Sequence, residues 1–293
     1  MRTILLTGAS GQVGWELQRT LATLGNVIAP PSSEFDLSRP DRLSALIRKI
    51  KPDLVVNPAA YTAVDKAESE TSLAYAINAE APAILAHEAA RMGISLVHFS
   101  TDYVYDGGKN SPYLESDTLN PLGVYGHSKL AGDQAVQVSG AHYLIFRTSW
   151  VYGLRGRNFL LTMQRLARER EELRVVADQF GAPTWSRSIA EAAAQILALW
   201  MSPGATEVDR QRLSGVYHLS CAGQASWHGF AKEILANMQV RGEKTARLEA
   251  IGSAEYPTPA MRPTYSVLDN QKIEQVFGIR MPAWQDALAL CLG

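Results

Sequence analysis

The stretch ILLTGASGQVGWELQRTL, residues 4–21, decides the fold. It begins with an apolar run, Ile4–Leu6, passes through a glycine-rich turn, Gly8–Gly14, and ends in apolar residues spaced at the period of a helix. Glycines in such a turn let the backbone approach a pyrophosphate, and free N–H groups at the helix N-terminus attract its charge. A glycine turn can be purely structural, but its place between a strand and a helix favours a nucleotide. We expect contacts to that nucleotide from Gly8, Ser10, Gly11, Gln12, Val13 and Gly14.

Four more apolar runs follow in the first half of the chain, at spacings that leave room for crossover helices. They are Val27–Ala29, Leu54–Val56, Ser95–Phe99 and Tyr143–Phe146. Strands that alternate with amphipathic helices form parallel sheets that are covered on both faces. The sequence therefore predicts the α/β class, with a Rossmann-type doubly wound parallel sheet that makes residues 1–150 an NAD(P)-binding domain.

The second part of the chain, residues 151–293, has a different texture. Helical stretches alternate with isolated strand-like pieces such as Val216–Leu219, and four prolines fall between Pro257 and Pro282. Because prolines interrupt helices and sheets, we expect a smaller mixed α/β substrate lobe rather than a second complete sheet. The polar segment 201–212, which contains Pro203, is predicted to be a surface loop. Chain exchange between the two parts is left open.

Composition argues against several classes of protein. The 28 Lys and Arg nearly balance the 29 Asp and Glu, so the formal net charge of -1 lacks the basic excess that nucleic-acid binding needs. No apolar run approaches the roughly 20 residues of a membrane helix, and the start of the chain lacks a signal-peptide core. Cys221 and Cys291 stand apart from any metal-binding cluster, so we expect them to be reduced and buried. These features predict a cytoplasmic protein without nucleic-acid or membrane partners.

Tyr125 and Lys129 form a YxxxK motif, whose two members lie on one face of a helix. A nearby ammonium favours the phenolate, so we expect Lys129 to lower the pKa of Tyr125 and make it a usable acid or base. Alone, this spacing predicts only a surface pair. Thr101 follows the fourth strand and Asn57 the third, at the strand ends where open α/β sheets bind their ligands.

Together these residues predict a carbonyl reductase. In this interpretation a nicotinamide supplies hydride to the carbonyl carbon of the substrate, and Tyr125 gives a proton to the carbonyl oxygen. Thr101 donates a hydrogen bond to the same oxygen, so that the developing charge meets a fixed donor. Lys129 is expected to hold the nicotinamide ribose as well.

The glycine spacing, GxxGxxG, resembles that of the extended short-chain dehydrogenases/reductases. An acidic residue about 20 residues past the glycines commonly holds the ribose of NAD. That count ends at Glu34, beyond the Pro30–Ser33 segment, and no arginine stands there to bind a 2′-phosphate. We therefore expect both NADPH and NADH to serve. Asp36 and Leu37 resemble the pair that lies against the adenine in this superfamily, although they also suit the start of a helix ahead of Pro40.

Longer stretches resemble the dTDP-4-dehydrorhamnose reductase family over nearly the whole chain. They are TGASGQVGWEL (7–17), AAYTAVDKAE (59–68), STDYVY (100–105), NPLGVYG (120–126), RTSWVY (147–152) and DQFGAPT (178–184). The AVDKAE and RTSWVY strings separate this family from general sugar epimerases. The resemblance implies reduction of the C4 keto group of dTDP-4-dehydro-β-L-rhamnose to dTDP-β-L-rhamnose, the last step of dTDP-L-rhamnose biosynthesis.

The resemblance also implies roles for single residues. It brings the cofactor phosphates to Gly11, Gln12 and Val13, and the adenine to Asp36 and Leu37. It lines the cofactor cleft with Ala59, Ala60, Tyr61 and Thr62. It brings the sugar to Thr101, Asp102 and Trp150, with Tyr125 as the proton donor.

Two of the substrate contacts have a physical argument of their own. An aromatic face such as that of Trp150 can pack on an apolar sugar face or a base, although a core tryptophan is the alternative. For the diphosphate, Arg262 is our candidate cation, because its proline-flanked loop fixes a guanidinium well.

Some members of the family bind Mg²⁺ at a dimer contact through acidic side chains, and Glu16 and Glu191 match part of that pattern. Arg187 stands where another acid is expected, and a cation beside a metal opposes its binding. The resemblance therefore stops short of a Mg²⁺ site in this chain, and a homodimer is left open. The substrate chemistry itself needs no metal.

Two other functions fit the same residues. A nucleotide-sugar epimerase or dehydratase uses the same tyrosine and lysine. A dehydratase needs an Asp-Glu pair beside the threonine, however, and this chain has Asp102 followed by Tyr103. A non-catalytic, reductase-like regulatory subunit would keep the cofactor fold and bind a partner enzyme. The intact Thr101, Tyr125 and Lys129 favour catalysis over that alternative.

Overall fold

The computed structural model describes residues 1–202 and 204–293. Its strands are β1 (Thr3–Leu6), β2 (Asn26–Ile28), β3 (Leu54–Asn57), β4 (Ser95–Thr101), β5 (His142–Thr148), β6 (Val151–Tyr152), β7 (Glu172–Val176), β8 (Phe180–Gly181), β9 (Thr184–Trp185), β10 (Gly215–His218), β11 (Ala225–Ser226) and β12 (Arg247–Ile251). Its α-helices are α1 (Gln12–Thr20), α2 (Pro40–Ile50), α3 (Val64–Ala67), α4 (Thr71–Tyr75), α5 (Ala81–Met92), α6 (Val124–Gln137), α7 (Phe159–Glu169), α8 (Ser186–Trp200), α9 (Glu207–Leu213), α10 (Trp227–Val240), α11 (Gln271–Phe277) and α12 (Trp284–Leu292).

A six-stranded parallel sheet forms the centre of the molecule, in the order β10-β5-β4-β3-β1-β2. The predicted α/β class and doubly wound parallel sheet are confirmed. Every residue of β3 and β4 is buried, as expected for strands covered by helices on both faces. The strand order reverses at β1, which lies between β2 and β3, and such a switch point is where open α/β sheets bind ligands.

The sixth strand of this sheet comes from the second part of the chain. The interpretation of Val216–Leu219 as an isolated piece is wrong, because β10 pairs in parallel with β5, Val216 facing Ile145. Helix α8 also returns to the first part and packs its apolar side against α1, in one cluster with Leu17. The division at residue 150 stays a prediction. Both β10 and α8 come after residue 150 and pack against elements that come before it.

The rest of the second part consists of two-stranded sheets and helices, as the late prolines predicted. Strands pair as β12-β7, β6-β9 and β11-β8. A separate apolar core joins α7, α10 and α12 through buried residues such as Leu160, Phe230 and Leu288. In the first part, a second cluster centred on Leu43 and Leu85 holds α2 and α5 against the other face of the main sheet.

The predicted surface loop at 201–212 is partly wrong. Residues 207–212 belong to helix α9, which begins with a capping box. The Thr206 hydroxyl accepts a hydrogen bond from the Asp209 N–H, and the Asp209 carboxylate accepts one from the Thr206 N–H. Such a reciprocal cap satisfies donors that a helix end leaves free, and so it stabilises a short polar helix. Pro203, part of the same prediction, lies outside the described residues.

None of the helices in residues 1–202 and 204–293 combines the length and the apolar content that a bilayer crossing requires.

A π-helical turn, Ala76–Glu80, joins α4 to α5 and is one of the features that position the site. Its buried Asn78 accepts a hydrogen bond from the Tyr61 N–H at 2.8 Å and donates to the Tyr61 carbonyl at 3.0 Å. The same amide donates to the Ser128 hydroxyl on α6 at 3.0 Å. Turns of π-helix are frequent at functional positions. This one connects the loop after β3 to α6, so close packing of α6 on the turn should contribute to the stability of the fold.

We predict that Gly132→Ala destabilises the protein while Gly229→Ala does not. A methyl group at Gly132, in α6, meets the Asn78 carbonyl oxygen of the π-turn at 2.1 Å. Gly229, in α10, leaves room, since its nearest neighbour is 3.4 Å away. Both positions gain helix propensity from alanine. We expect Gly132→Ala to lose about 1–3 kcal/mol of unfolding free energy in urea titrations and Gly229→Ala to lose none. Equal midpoints for the two variants would contradict the close packing of α6 on the π-turn.

Candidate active site

The glycine turn after β1 leaves a cradle that side chains would fill. Gly8 has a φ of +58°, and a Cβ there would lie 2.8 Å from the Cα of Ala59. A Cβ at Gly14 would lie 2.1 Å from the Gly8 carbonyl oxygen. Helix α1 begins at Gln12, so its free N–H groups point into this cradle. The backbone therefore suits a close-lying pyrophosphate, as the sequence predicted.

Two adjoining cavities, of about 470 Å³ and 450 Å³, extend from this cradle and share Gly8, Ser10, Ala59 and Ala60. The first, called here the adenosine-side cavity, is also lined by Asp36 and Leu37. The second, called here the catalytic cavity, is also lined by Gly11, Gln12, Val13, Gly14, Thr62, Tyr125 and Lys129. A dinucleotide fits this elongated pair of cavities around a phosphate cradle, so the lining suits NAD(P)H.

Tyr61 differs from the other predicted cofactor residues, because it lines neither cavity. Its hydroxyl donates to the Glu70 carboxylate at 2.5 Å, which raises the pKa of Tyr61 to about 12. Its backbone is the part held by Asn78. Ala60 and Thr62, on either side of Tyr61, line the cavities, whereas the Tyr61 ring points to Glu70.

Thr101 and Tyr125 meet at the carboxyl end of β4. Thr101 is the last residue of that buried strand, and Tyr125 lies in the first turn of α6, close enough for the Thr101 side chain to act against the rise in the pKa of Tyr125. Burial disfavours the phenolate and raises the pKa of Tyr125 to about 12. The expectation that Lys129 lowers the pKa of Tyr125 is therefore wrong in this structure. Tyr125 is a neutral phenol, which is the form that can donate a proton.

Lys129 is fully buried on α6, one turn beyond Tyr125. Its Nζ donates to the Phe99 carbonyl oxygen at 2.6 Å and lies 3.3 Å from Nε2 of His98. Burial disfavours the ammonium and lowers the pKa of Lys129 to about 8, while the charge of Asp133 acts in the opposite direction. The ammonium is directed towards β4 rather than towards the Tyr125 hydroxyl, which explains why the two side chains do not form the expected pair.

A buried charge network lies behind Lys129. Asp133, one turn further along α6, accepts a hydrogen bond from the Ser100 hydroxyl at 2.8 Å and pairs with Arg147 on β5 at 3.3 Å. His98 is neutral, because burial and the Lys129 charge hold its pKa well below the usual range. One carboxylate oxygen of Asp133 has no hydrogen-bond partner within the described residues and lies 3.8 Å from the His98 ring. Asp133 is thus the carboxylate that compensates the Lys129 charge.

Asp102, predicted to contact the sugar, is buried beside Thr101. It accepts hydrogen bonds from the hydroxyls of Ser149 at 3.0 Å, Ser266 at 2.6 Å and Thr101 at 3.1 Å. Burial raises the pKa of Asp102 to about 6, although these three donors act against that shift. Through them, Asp102 joins the end of β4 to the loops after β5 and before α11.

Trp150 follows β5 in a strained backbone conformation, with a φ of +44°. A non-glycine residue in this region costs free energy, and such strain is found mostly at functional sites. Its ring stacks on Trp227 with centroids 3.4 Å apart and planes 4° from parallel. Phe159 continues the aromatic group, 4.7 Å from the Trp227 ring. Phe159 and Trp227 line a third cavity of about 320 Å³, called here the substrate-side cavity.

Arg262 also lines the substrate-side cavity, as its assignment to the diphosphate requires. Its guanidinium pairs with Asp65 at 2.8 Å, and its Nε is buried without a partner within the described residues. Asp65 belongs to the AVDKAE string, and Glu68 of the same string accepts a hydrogen bond from the Val124 N–H at the start of α6. This string therefore fixes both the candidate phosphate-binding arginine and the helix that carries Tyr125.

The chain resembles known proteins over residues 1–293. A family profile described as the RmlD substrate binding domain matches residues 1–293. A dTDP-4-dehydrorhamnose reductase of Burkholderia thailandensis is 51% identical to the chain over 293 residues, covering 99% of this chain and 97% of the relative. The chain belongs to the dTDP-4-dehydrorhamnose reductase family. The family that the sequence motifs predicted is thereby confirmed.

Solved structures agree with this membership. A dTDP-4-dehydrorhamnose reductase of Clostridium acetobutylicum superposes with a TM-score of 0.89 at 36% identity, covering 99% of this chain and 98% of that one. The reductase of Bacillus anthracis, solved in complex with NADP, gives 0.88 at 34% identity with the same coverage. A UDP-glucose 4-epimerase of Thermus thermophilus, at 19% identity and a TM-score of 0.79, shares the fold. The chain is thus a member of an oxidoreductase family that uses NAD(P)H.

The acidic residues that resemble the Mg²⁺ pattern of the reductase family lie next to a cation. Arg187 pairs with Glu191 at 2.8 Å across one turn of α8, and the charge of Glu16 also acts on the Arg187 guanidinium. Within residues 1–202 and 204–293, no three His, Cys, Asp or Glu side chains lie close enough together to hold a metal ion. The Glu191 carboxylate is thus paired with a cation of its own helix, Arg187.

Sequence reasoning missed several residues of the site. Asn78 gave no signal, because only the π-turn brings it to Tyr61 and Ser128. Arg155 and Arg157 line the adenosine-side and catalytic cavities, although more than 140 residues separate them from the glycine turn. The string RTSWVY, residues 147–152, ends just before this loop and was the sequence feature that could have predicted its place at the site.

We predict that Asp133→Asn moves the alkaline limb of the activity profile to lower pH. Removal of the carboxylate takes away the charge that raises the pKa of Lys129, so the ammonium is lost at a pH below 8. At pH 8, kcat/KM is expected to fall at least roughly threefold relative to the variant's own plateau at lower pH. Glu88→Gln is the control. It removes a carboxylate on α5 that pairs with Arg48 on α2, and it should leave the alkaline limb in place. An unmoved limb in Asp133→Asn would show that this charge does not act on Lys129.

Proposed function

We propose that this chain reduces the C4 keto group of dTDP-4-dehydro-β-L-rhamnose to dTDP-β-L-rhamnose with NAD(P)H, the last step of dTDP-L-rhamnose biosynthesis. The observation that carries the proposal is that Tyr125 lines the catalytic cavity as a neutral phenol, next to Thr101 at the end of β4, in a chain of the reductase family. This cavity continues into the phosphate cradle on one side of β1.

The chemistry is a hydride transfer followed, or accompanied, by a proton transfer. Bound in the catalytic cavity, NAD(P)H supplies a hydride from its nicotinamide C4 to the carbonyl carbon of the sugar. The two electrons of the C=O π bond move to the oxygen, which takes the proton of the Tyr125 hydroxyl. Atoms and charge balance when the tyrosine later regains a proton from water.

Tyr125 is suited to this role by its neutral state. A phenol whose pKa is about 12 keeps its proton throughout the physiological range, so the donor form is fully populated. Thr101, which lies beside Tyr125 and acts to lower its pKa, favours the phenolate that remains. Such fixed donors in a water-poor site stabilise developing charge more than water does.

Lys129 provides a positive charge at the wall of the catalytic cavity. Its Nζ is anchored to the Phe99 carbonyl, and from that position it faces the catalytic cavity. We propose that the ammonium holds the ribose hydroxyls next to the nicotinamide. This role requires the charged form, which burial makes less stable above pH 8.

For the sugar nucleotide we propose that Arg262 binds the diphosphate and that Asp102 and Trp150 contact the sugar. The unpartnered Nε of Arg262 and its position in the substrate-side cavity support the first assignment. The strained backbone of Trp150 supports the second. Aromatic rings in the same cavity offer a stacking face to a base.

We also propose that the reaction takes place in the cytoplasm, which the two free and buried cysteines support. The assembly state, including a homodimer, stays a prediction.

The alternatives are weaker on specific grounds. A dehydratase needs a second acid next to Asp102, and the structure has Tyr103 there, packed edge-on against Tyr125 with ring centroids 5.6 Å apart. The epimerase of similar fold shares less than a fifth of its residues with this chain. A regulatory subunit has no use for a buried, charge-compensated lysine beside a neutral tyrosine.

We predict that Tyr125→Phe abolishes reduction of the 4-keto sugar nucleotide. NADPH oxidation on addition of dTDP-4-dehydrorhamnose should fall by about 10²–10⁴-fold, because the substrate oxygen loses its proton donor. Tyr103→Phe is the matched control, since it removes one hydroxyl from the neighbouring ring and should retain most of the activity. Tyr125→Phe with the parent rate would contradict the proton-donor assignment. Absence of turnover in the parent itself would contradict the proposed function.

A further inference from the structure

The loop between β6 and α7 carries two arginines and is tied to the glycine turn. Asn158, at its end, donates from Nδ2 to the Gln12 side chain at 2.8 Å and to the Gly153 carbonyl at 2.8 Å. Its Oδ1 accepts from the Leu161 N–H, which caps α7. These contacts fix both ends of the loop against the phosphate cradle.

Arg155, in the middle of this loop, stacks on the indole of Trp15 with its guanidinium carbon 3.3 Å from the ring centroid. Arg19 stacks on the same ring at 3.7 Å. Two guanidinium groups so close to one centroid must occupy opposite faces, so the indole is sandwiched between them. Of the two, Arg155 lines the adenosine-side cavity and Arg19 does not.

The charges around the adenosine-side cavity leave Arg155 as its cation. Asp36, on the same wall, is engaged by the N–H and hydroxyl of Ser38, which lowers its pKa. Arg39 and Arg42, whose charges also act on Asp36, form salt bridges with Asp41. Within the part of the chain that the structure describes, the guanidinium of Arg155 forms no salt bridge. A cation with a free edge on a cavity wall suits an anionic ligand group.

We propose that Arg155 binds the 2′-phosphate of NADPH and so gives NADPH an advantage over NADH. The proposal rests on the cofactor site of the proposed function. It favours the 2′-phosphate over the pyrophosphate because the cradle for the pyrophosphate, the start of α1, faces Arg157 in the catalytic cavity. Arg155 instead shares its cavity with Ser32 and Ser38, the small polar residues at the adenosine end.

Stacking makes Arg155 a good receptor for a phosphate. The flat indole holds the guanidinium in one plane, so less side-chain entropy is lost when its N–H edge donates two parallel hydrogen bonds to phosphate oxygens. The Ser32 hydroxyl in the same cavity can add a hydrogen bond without any charge. NADH lacks this phosphate and so loses the contact with Arg155. Because the Arg155 guanidinium stays exposed to solvent, NADH still binds.

Equilibrium binding to the full chain tests the proposal without any sugar substrate. Isothermal titration calorimetry would compare adenosine 2′,5′-bisphosphate with AMP, and NADPH with NADH, on the parent, Arg155→Gln and Arg155→Lys. Arg155→Gln should lose about tenfold in affinity for the bisphosphate and for NADPH, and stay within about twofold for AMP and NADH. Arg155→Lys keeps the charge, so its affinities for the bisphosphate and NADPH should lie between those of the parent and those of Arg155→Gln. Arg19→Gln, which removes the cation on the other face of Trp15, should change none of the four affinities.

Two results would overturn the proposal. Equal weakening of NADPH and NADH in Arg155→Gln would assign the contact to the pyrophosphate. A parent that binds the bisphosphate no better than AMP would remove the 2′-phosphate site altogether. Because sugar turnover is not measured, failure of the proposed reaction leaves these results interpretable: selective loss of the bisphosphate would stand even if the parent reduced no sugar.

Discussion

The burial of one ammonium group, that of Lys129, is the constraint on which the rest of the site depends. Taking a charge out of water is costly unless other groups compensate it. Here the Phe99 carbonyl accepts its hydrogen bond, the His98 ring stays neutral beside it, and Asp133 supplies the opposite charge. Arg147 in turn balances Asp133. These partners come from β4, β5 and α6, so Lys129 is held by the centre of the main sheet.

The neighbouring side chains are positioned by contacts of long range. Asp65 and Glu68 connect the segment after β3 to the Arg262 loop and to the start of α6. Asn78 connects the π-turn to Ser128, next to Lys129. The site therefore lies where the carboxyl ends of the strands meet side chains from both parts of the chain. The second part also contributes β10 to the main sheet and packs α8 against α1.

The features that could be predicted from sequence are local ones. Tyr125 and Lys129 are four residues apart on one helix, and the glycine turn is a contiguous string between a strand and a helix. The charge state of Tyr125 could not be predicted, because it depends on burial rather than on spacing. The place of Val216 in the main sheet and the stacking of Arg155 on Trp15 also depend on tertiary contacts between distant segments, which a single sequence does not encode as a pattern.

Burial makes the Lys129 amine a weaker base than an exposed lysine, and its neighbours compensate the charge of the ammonium form. This weakened basicity is tested most directly by a pH titration of the full chain labelled with ¹³C at the lysine side chains, observed by NMR. The Lys129 signal is assigned by its absence in Lys129→Met. The account predicts a titration midpoint for Lys129 at about 8, separate from the other lysines. A midpoint at the ordinary lysine value of about 10.5 would contradict it.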